Sequence, residues 1–534
     1  MAALARSSPS ADAVSDARVA APRSLLSYAP ALVLLAIAIA DCGRFADTDL
    51  WGHLFFGGLL LHRGPHLGPD PFSYAPHFRQ WLHHEWLAEA LMAWIYASSG
   101  ILGLKLWKLA CSAATIALLA AAAGEGGAPI AIQFTALLAA AFTLIPYMQF
   151  RPLLFSYVFT AATVLLLTRD NLRGRAPLWI AIPGLALWSN LHGSFFIGLG
   201  LLGTYAAVRG LTDLVVGKGA SRLIRLGMIT IASAAASLAT PYGIDSWRAV
   251  LISVRNPMTR RIMADWRPLL VVLNEQLRQP HGGAIFLWLA IILLAAFALI
   301  VALTPRGDDL ALVAIAALSS IGALMAVRNV PLALVAVIPV LARHAGLLLR
   351  NGIGWKRASD PCSSSGGQPL SGVSQAIVGA LAMVVLVETG AFASRIPAAK
   401  RYPASAVAFM QAHRLHGNIL DYFAWGQYLI WHCSADSKIF IDGRYDLVYP
   451  PEVIQQYLDS YENHSRAADV LDHYPHDLVL MPPESPVNAL MRSRTDWKLI
   501  YRDSTANLYA RANTPVAHLP GEPFQGTVAE TLFP

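Results

Sequence analysis

The chain has 534 residues, with 40 Lys and Arg against 33 Asp and Glu, a formal net charge of +7 and a mean hydropathy of +0.48. Only 14% of residues are charged and 55% are hydrophobic, whereas a soluble domain carries about 25% charged residues. This excludes an ordinary soluble enzyme and a small disulfide scaffold. The pI near 9.2 does not argue for nucleic acid as a partner, because loop arginines orient membrane proteins.

The charge is unevenly spread: 27 of the last 140 residues are charged, against 46 of the first 394. The expected fold class is an α-helical multi-pass membrane protein with a small C-terminal α/β soluble domain. Residues 1–24 read as a disordered cytoplasmic tail, Ala/Ser-rich with Arg6, Arg18 and Arg23. Residues 25–394 read as the transmembrane domain, with an outer loop at 43–84. A crossing needs about 20 apolar residues. Candidates lie at 25–42, 103–123, 129–148, 152–168, 177–189, 194–212, 222–240, 283–304, 309–327, 330–349 and 372–393.

The basic clusters at Arg169–Arg175, Arg209–Arg225 and Arg343–Arg357, with the tail, are expected on the cytoplasmic side. A cytoplasmic N-terminus and an extracytoplasmic C-terminal domain require an odd number of crossings, and eleven satisfies it. The shorter apolar run at 85–100 is then a re-entrant or interfacial helix. The loop at 241–282 runs against this orientation, since it holds Arg248, Arg255, Arg260, Arg261, Arg267 and Arg278.

Residues 395–534 alternate short strand-like runs (418–420, 438–441, 477–481, 497–501, 506–510) with helical ones (425–432, 451–461, 466–474, 487–493), the pattern of an α/β domain. Cys42, Cys111, Cys362 and Cys433 have no metal-type spacing.

Chemistry concentrates in the outer loop. Asp47-Thr48-Asp49-Leu50-Trp51-Gly52-His53 follows the first predicted crossing, and Leu50–His62 is an apolar helix stopped by Gly64-Pro65. Asp49 suits an ordinary helix cap, a role that leaves Asp47 unexplained because one helix start needs one cap. Asp47 therefore ranks slightly ahead of Asp49 as a functional carboxylate. His53 lies one turn after Asp49. With His83, His84 or Glu85 they could form an oxygen and nitrogen metal site, so a divalent metal cofactor stays open. Polar groups recur at later helix ends: Arg151-Pro152, Trp188-Ser189-Asn190-Leu191-His192-Gly193, Asp265-Trp266-Arg267-Pro268 and Arg328-Asn329. A charge within the membrane costs about 2.5–3.5 kcal/mol on insertion scales, so such arginines snorkel, pair or face water. Arg151 and Arg328 would suit a lipid-borne phosphate. Asp442-Gly443-Arg444 ends a strand, where a turn with a surface arginine competes with a ligand-binding loop.

The run Asp47–His53 with Gly57, then Asp70-Pro71-Phe72-Ser73-Tyr74 and His84-Glu85-Trp86-Leu87, resembles the first outer loop of bacterial members of the GT-C glycosyltransferase superfamily. Arg151-Pro152, the 188–193 motif, Pro241-Tyr242-Gly243, Asp421-Tyr422, Trp425–Trp431 and Ile441-Asp442-Gly443-Arg444 extend the resemblance over about residues 25–510. It implies transfer of a sugar from a polyprenyl-phosphate donor to an unknown saccharide, lipid or protein acceptor outside a bacterial cytoplasmic membrane. The catalytic acid of the first outer loop maps onto Asp47 or Asp49. An inverting transfer needs a carboxylate to deprotonate the acceptor hydroxyl and cations for the departing phosphate, roles open to Asp47 or Asp49 and to Arg151 with Arg328. His53, His84, Glu85, Asn190, His192 and Arg444 are the expected substrate-binding residues. A transporter or flippase of a lipid-linked saccharide, or a non-catalytic envelope assembly protein, is the rival expectation.

Overall fold

In a computed structural model the described residues are 47–78, 81–174, 176–278, 284–304, 309–352, 402–462 and 466–524. The expected crossings at 25–42 and 372–393, the N-terminal tail and the segment 395–401 lie outside them. Helix α1, Leu50–Arg63, leads the first loop and ends at Gly64, whose φ of 79° is open only to glycine without strain. The helical bundle follows: α2 (Trp86–Glu125), α3 (Ile130–Leu144), α4 (Leu153–Arg173), α5 (Ala181–Leu191), α6 (Phe195–Val215) and α7 (Ser221–Ala236). Short helices α8 (Ile244–Arg255), α9 (Pro257–Ile262) and α10 (Leu269–Arg278) lead into α11 (Ala284–Leu303), α12 (Leu310–Met325) and α13 (Val330–Gly352).

Among the described residues, five helices are long and apolar enough to cross a membrane: 86–125, 153–173, 195–215, 285–303 and 327–350. Shorter apolar helices lie at 131–147, 178–191 and 310–325. The 85–100 run forms a helix of its own: Gly100 (φ 59°, ψ −150°) is not helical and kinks the 40 residues of α2 into two helices, 86–99 and 101–125. At about 1.5 Å per residue, the second is about 38 Å long, enough by itself to cross a hydrocarbon core of about 30 Å. The first part therefore need not lie in lipid. The loop at 241–282 is itself largely helical, and its Ser253 hydroxyl donates to Asp446 of the C-terminal domain (3.1 Å).

The basic helix ends meet at one end of the bundle. Arg169 and Arg173 hold Glu125, Arg222 and Tyr205 hold Asp170, and Arg343 and His344 hold Asp309. Arg343 and Arg350 also donate to the carbonyls of Gly126 and Gly127, next to Glu125.

After α14 (Ala404–Ala412) the chain builds a five-stranded sheet from β1 (Gly417–Asp421), β2 (Ser437–Ile439), β3 (Leu478–Met481), β4 (Trp497–Arg502) and β5 (Asn507–Arg511). The spatial order is β2-β1-β3-β5-β4, with β1 parallel to β2 and β3, and β5 antiparallel to β3 and β4. Ile419 lies opposite Ile439 on one side and Leu478 on the other. Helices α15 (Gly426–Cys433), α16 (Pro451–Glu462), α17 (Ala467–His473) and α18 (Val487–Ser493) connect the strands.

Two hydrophobic cores result. One fills the bundle around α13. The other joins α1, the first loop and the sheet: Leu50, Trp51, Phe56 and Trp81 share it with Ile419, Tyr428, Phe440 and Ile441. The first loop even extends the sheet at its β2 edge. Ser73 bridges Ile439, the Ile439 N–H donates to the Phe72 carbonyl, and the Tyr74 N–H donates to that of Ile439. Loop and domain are one folded body, so the loops after β1 and β2, at the carboxyl ends of parallel strands, face the start of α1.

Candidate active site at the start of the first helix

Asp47 and Asp49 sit in the turn that begins α1, and both point at Arg151, at the head of α4. Arg151 Nε and Nη2 donate to the Asp47 carboxylate, Nη2 at 2.7 Å from Oδ1, and Nη2 lies 2.9 Å from Asp49 Oδ2. The Asp49 side chain makes no capping hydrogen bond. Its position is set instead by the arginine and by the C-terminal domain. Gly443 abuts it so closely that a Cβ there would lie 2.9 Å from Asp49 Oδ1 and 3.1 Å from Gln427 Nε2. Asp47 is the more buried carboxylate at 8% side-chain exposure, against 29% for Asp49. Burial pushes the Asp49 carboxyl up to about 6, with Asp265, Asp442 and Glu89 adding to the rise and the His53 charge opposing it.

Arg328 stands across from this group. Its guanidinium lies 4.4 Å from the centre of the Trp266 ring, with Nε 4.0 Å from Asp265 Oδ2. Burial holds Arg151 below its usual value, a shift that the Arg328 charge reinforces and Asp265 opposes. Sequence motifs had flagged Asp265 without giving it a role. It stands here as a third carboxylate, 4.0 Å from Arg328 Nε, and its charge is felt at Arg151.

Behind the aspartates lies a histidine and glutamate cluster. His53 Nδ1 is 2.6 Å from Glu89 Oε1, and His83 Nε2 is 2.7 Å from Glu89 Oε2. Glu85 Oε1 is 3.2 Å from His192 Nε2 and 3.6 Å from His84 Nε2. One ligand atom each from His53, Glu85 and Glu89 lie within 4.8 Å of one another. Burial opposes a charge on His53, but the hydrogen bond and charge of Glu89 raise it to about 9. Burial pushes the Glu85 carboxyl up to about 7 and His84 down to about 4. Glu89 carried no expectation. Its signal was a lone acid one turn after Glu85 in an apolar helix, where charge is costly.

Two expected substrate residues turn out to be ties between elements. Asn190 accepts from Trp86 Nε1 (2.9 Å) and donates to the carbonyls of Ala186 and Ala239 (2.8 and 2.9 Å), which occupies both amide N–H groups. Arg444 is neither a surface arginine nor an open ligand-binding group. It is 7% exposed, grips Asp70 through both terminal nitrogens (2.7 and 3.0 Å) and also holds Asp442 (2.6 Å). The rings of Trp81 and Phe56 flank it at 4.6 and 4.8 Å. Two carboxylates and aromatic faces compensate the desolvation of a buried guanidinium. Burial raises the Asp70 carboxyl, but the charge and hydrogen bonds of Arg444 outweigh it and hold the group below its ordinary value.

The fold is similar to that of membrane glycosyltransferases of known structure. The archaeal oligosaccharyltransferase AglB of Archaeoglobus fulgidus, solved with an inhibitory peptide and a dolichol-phosphate, aligns over 86% of this chain and 70% of its own, at 13% identity and a TM-score of 0.56. The mycobacterial arabinofuranosyltransferase AftD aligns over 93% of this chain at 16% identity and a TM-score of 0.52, and this chain spans 42% of it. ArnT of Cupriavidus metallidurans, solved with undecaprenyl phosphate, aligns over 92% of this chain and 98% of its own at 15% identity and a TM-score of 0.46. No family model and no curated protein matches the sequence.

Proposed function

We propose that the protein is a membrane glycosyltransferase. It moves a sugar from a polyprenyl-phosphate donor to an acceptor hydroxyl on the outer face of a bacterial cytoplasmic membrane, with inversion at the anomeric carbon. The observation that carries this reading is the meeting of Asp47 and Asp49 with Arg151 at the head of a bundle whose helices suit a lipid-borne donor. In this reading Asp49 is the general base. It is the more accessible carboxylate, and its raised value makes it a stronger base that is still ionised at neutral pH. Asp47, with two hydrogen bonds to the guanidinium, anchors Arg151.

Arg151 and Arg328 take the donor phosphate, whose charge grows as the glycosidic bond breaks. A phosphate arriving at Arg151 Nη2 competes with Asp49 for the same nitrogen and leaves the carboxylate free to accept the acceptor's proton. The C-terminal domain, whose Gly443 touches Asp49, lies outside the membrane and forms the acceptor side.

The test is turnover of polyprenyl-phosphate sugars with an acceptor extract, comparing wild type with Asp47→Asn and Asp49→Asn. Loss of turnover in Asp49→Asn with donor binding retained supports the assignment. Unchanged turnover in both variants removes the proposed base, and no turnover with any donor returns weight to a flippase or an assembly protein. A reporter fused after Arg395 that behaved as cytoplasmic would overturn the orientation.

A further inference from the structure

The start of α1 and the start of α2 press together at Gly57, where a Cβ would lie 2.1 Å from the Glu89 carbonyl oxygen. Only this close approach lets His53 reach a carboxylate on the neighbouring helix. Glu85 and Glu89 are one turn apart, so they share a face of α2. The resulting triad of His53, Glu85 and Glu89 offers one imidazole nitrogen and two carboxylate oxygens within 4.8 Å of one another.

A second observation concerns the groups around the triad. His83 and Glu89 are 5% and 3% exposed, and His83 Nε2 lies 2.7 Å from Glu89 Oε2. With a cation on the Glu89 carboxylate, His83 would support that ligand from outside, as outer partners do at metal sites. His192 and His84 stand in the same relation to Glu85.

We propose that His53, Glu85 and Glu89 bind one divalent transition-metal cation, Zn²⁺ or Mn²⁺, that fastens α1 to α2 behind the Asp47–Asp49 turn. Mixed imidazole and carboxylate donors suit these ions, whereas Ca²⁺ and Mg²⁺ favour all-oxygen sites. Binding releases the proton that His53 otherwise shares with Glu89. The site is separate from Asp47 and Asp49, whose carboxylates are taken by Arg151. It stands whether or not the protein transfers sugar, since metal content is read without donor or acceptor.

The test uses full-length, tag-free protein in detergent. Metal content is measured by mass spectrometry as purified, and melting is followed after chelation and after return of Zn²⁺ or Mn²⁺. One ion per chain is expected, with a melting point that falls on chelation and recovers on metal return. Glu85→Gln and Glu89→Gln should each weaken binding at least about tenfold, the lower bound typical even for outer partners, whereas Asp47→Asn should keep the full complement. If Glu89→Gln does not fold, Glu85→Gln, at the more open end of the cluster, decides the matter alone. Wild-type protein that neither retains nor rebinds metal overturns the proposal. So does metal lost in Asp47→Asn but kept in Glu85→Gln, which would put the ion on the aspartates.

Discussion

Replacing Gly443 by alanine tests whether the C-terminal domain takes part in the chemistry at Asp49. The added methyl would lie 2.9 Å from Asp49 Oδ1 and 3.1 Å from Gln427 Nε2, where ordinary contacts begin near 3.4 Å. Gly443 is not among the glycines with positive φ, so the backbone accepts alanine and the effect is purely one of space. The Asp49 carboxylate is the end of a short side chain, so it gives way by about half an ångström, and its 2.9 Å contact with Arg151 is lengthened or turned. Misplacement of a reacting group by about 1 Å can cost a hundredfold in rate, so half that displacement predicts a fall of about tenfold in kcat for Gly443→Ala. Donor KM should change little, because Arg328 and Asp47 do not touch the new methyl. Melting should stay close to wild type. The assay is steady-state turnover beside thermal melting. An unchanged kcat would refute the idea that the domain holds the base, and a parallel loss of kcat and melting point would reduce Gly443 to a folding residue.

Arg444→Met should leave Asp70 and Asp442 buried without a counter-charge. Breaking a buried pair from one side costs about 3–5 kcal/mol, so the C-terminal domain and first loop should melt well below wild type, while the simultaneous Asp70→Asn change should recover part of the loss; full stability in Arg444→Met would refute the clamp. The pH profile of kcat/KM should rise through about 6, the value to which burial pushes Asp49. The base must be unprotonated, so activity falls on the acid side and is level above. An acid limb near the ordinary aspartate value of about 3.9 would instead point to a solvated carboxylate.

Much of the fold was readable because short-range rules set it. The five strands and the helices between them fall where alternation and Gly or Pro punctuation put them, and most bundle helices coincide with the apolar runs. The pairings that make the site were not readable, because they cross the chain. Arg444 looked like the surface residue of an Asp-Gly turn, and only the fold brings Asp70, 374 positions earlier, beneath it. Asp49 looked like a cap, since nothing local reveals that Arg151 and Gly443 fix its side chain.

The bridge of Ser73 to Ile439 also orders events in time. The loop that carries Asp47 and Asp49 leaves the ribosome long before the strand that completes it. At about 5–20 residues per second, the 374 positions between Asp70 and Arg444 correspond to a wait of about 20–75 s. During that interval the loop has no sheet edge to join and the two aspartates are held by no domain. A chain cut between residues 412 and 437 keeps the described bundle helices but lacks both Arg444 and the β2 edge that the first loop joins.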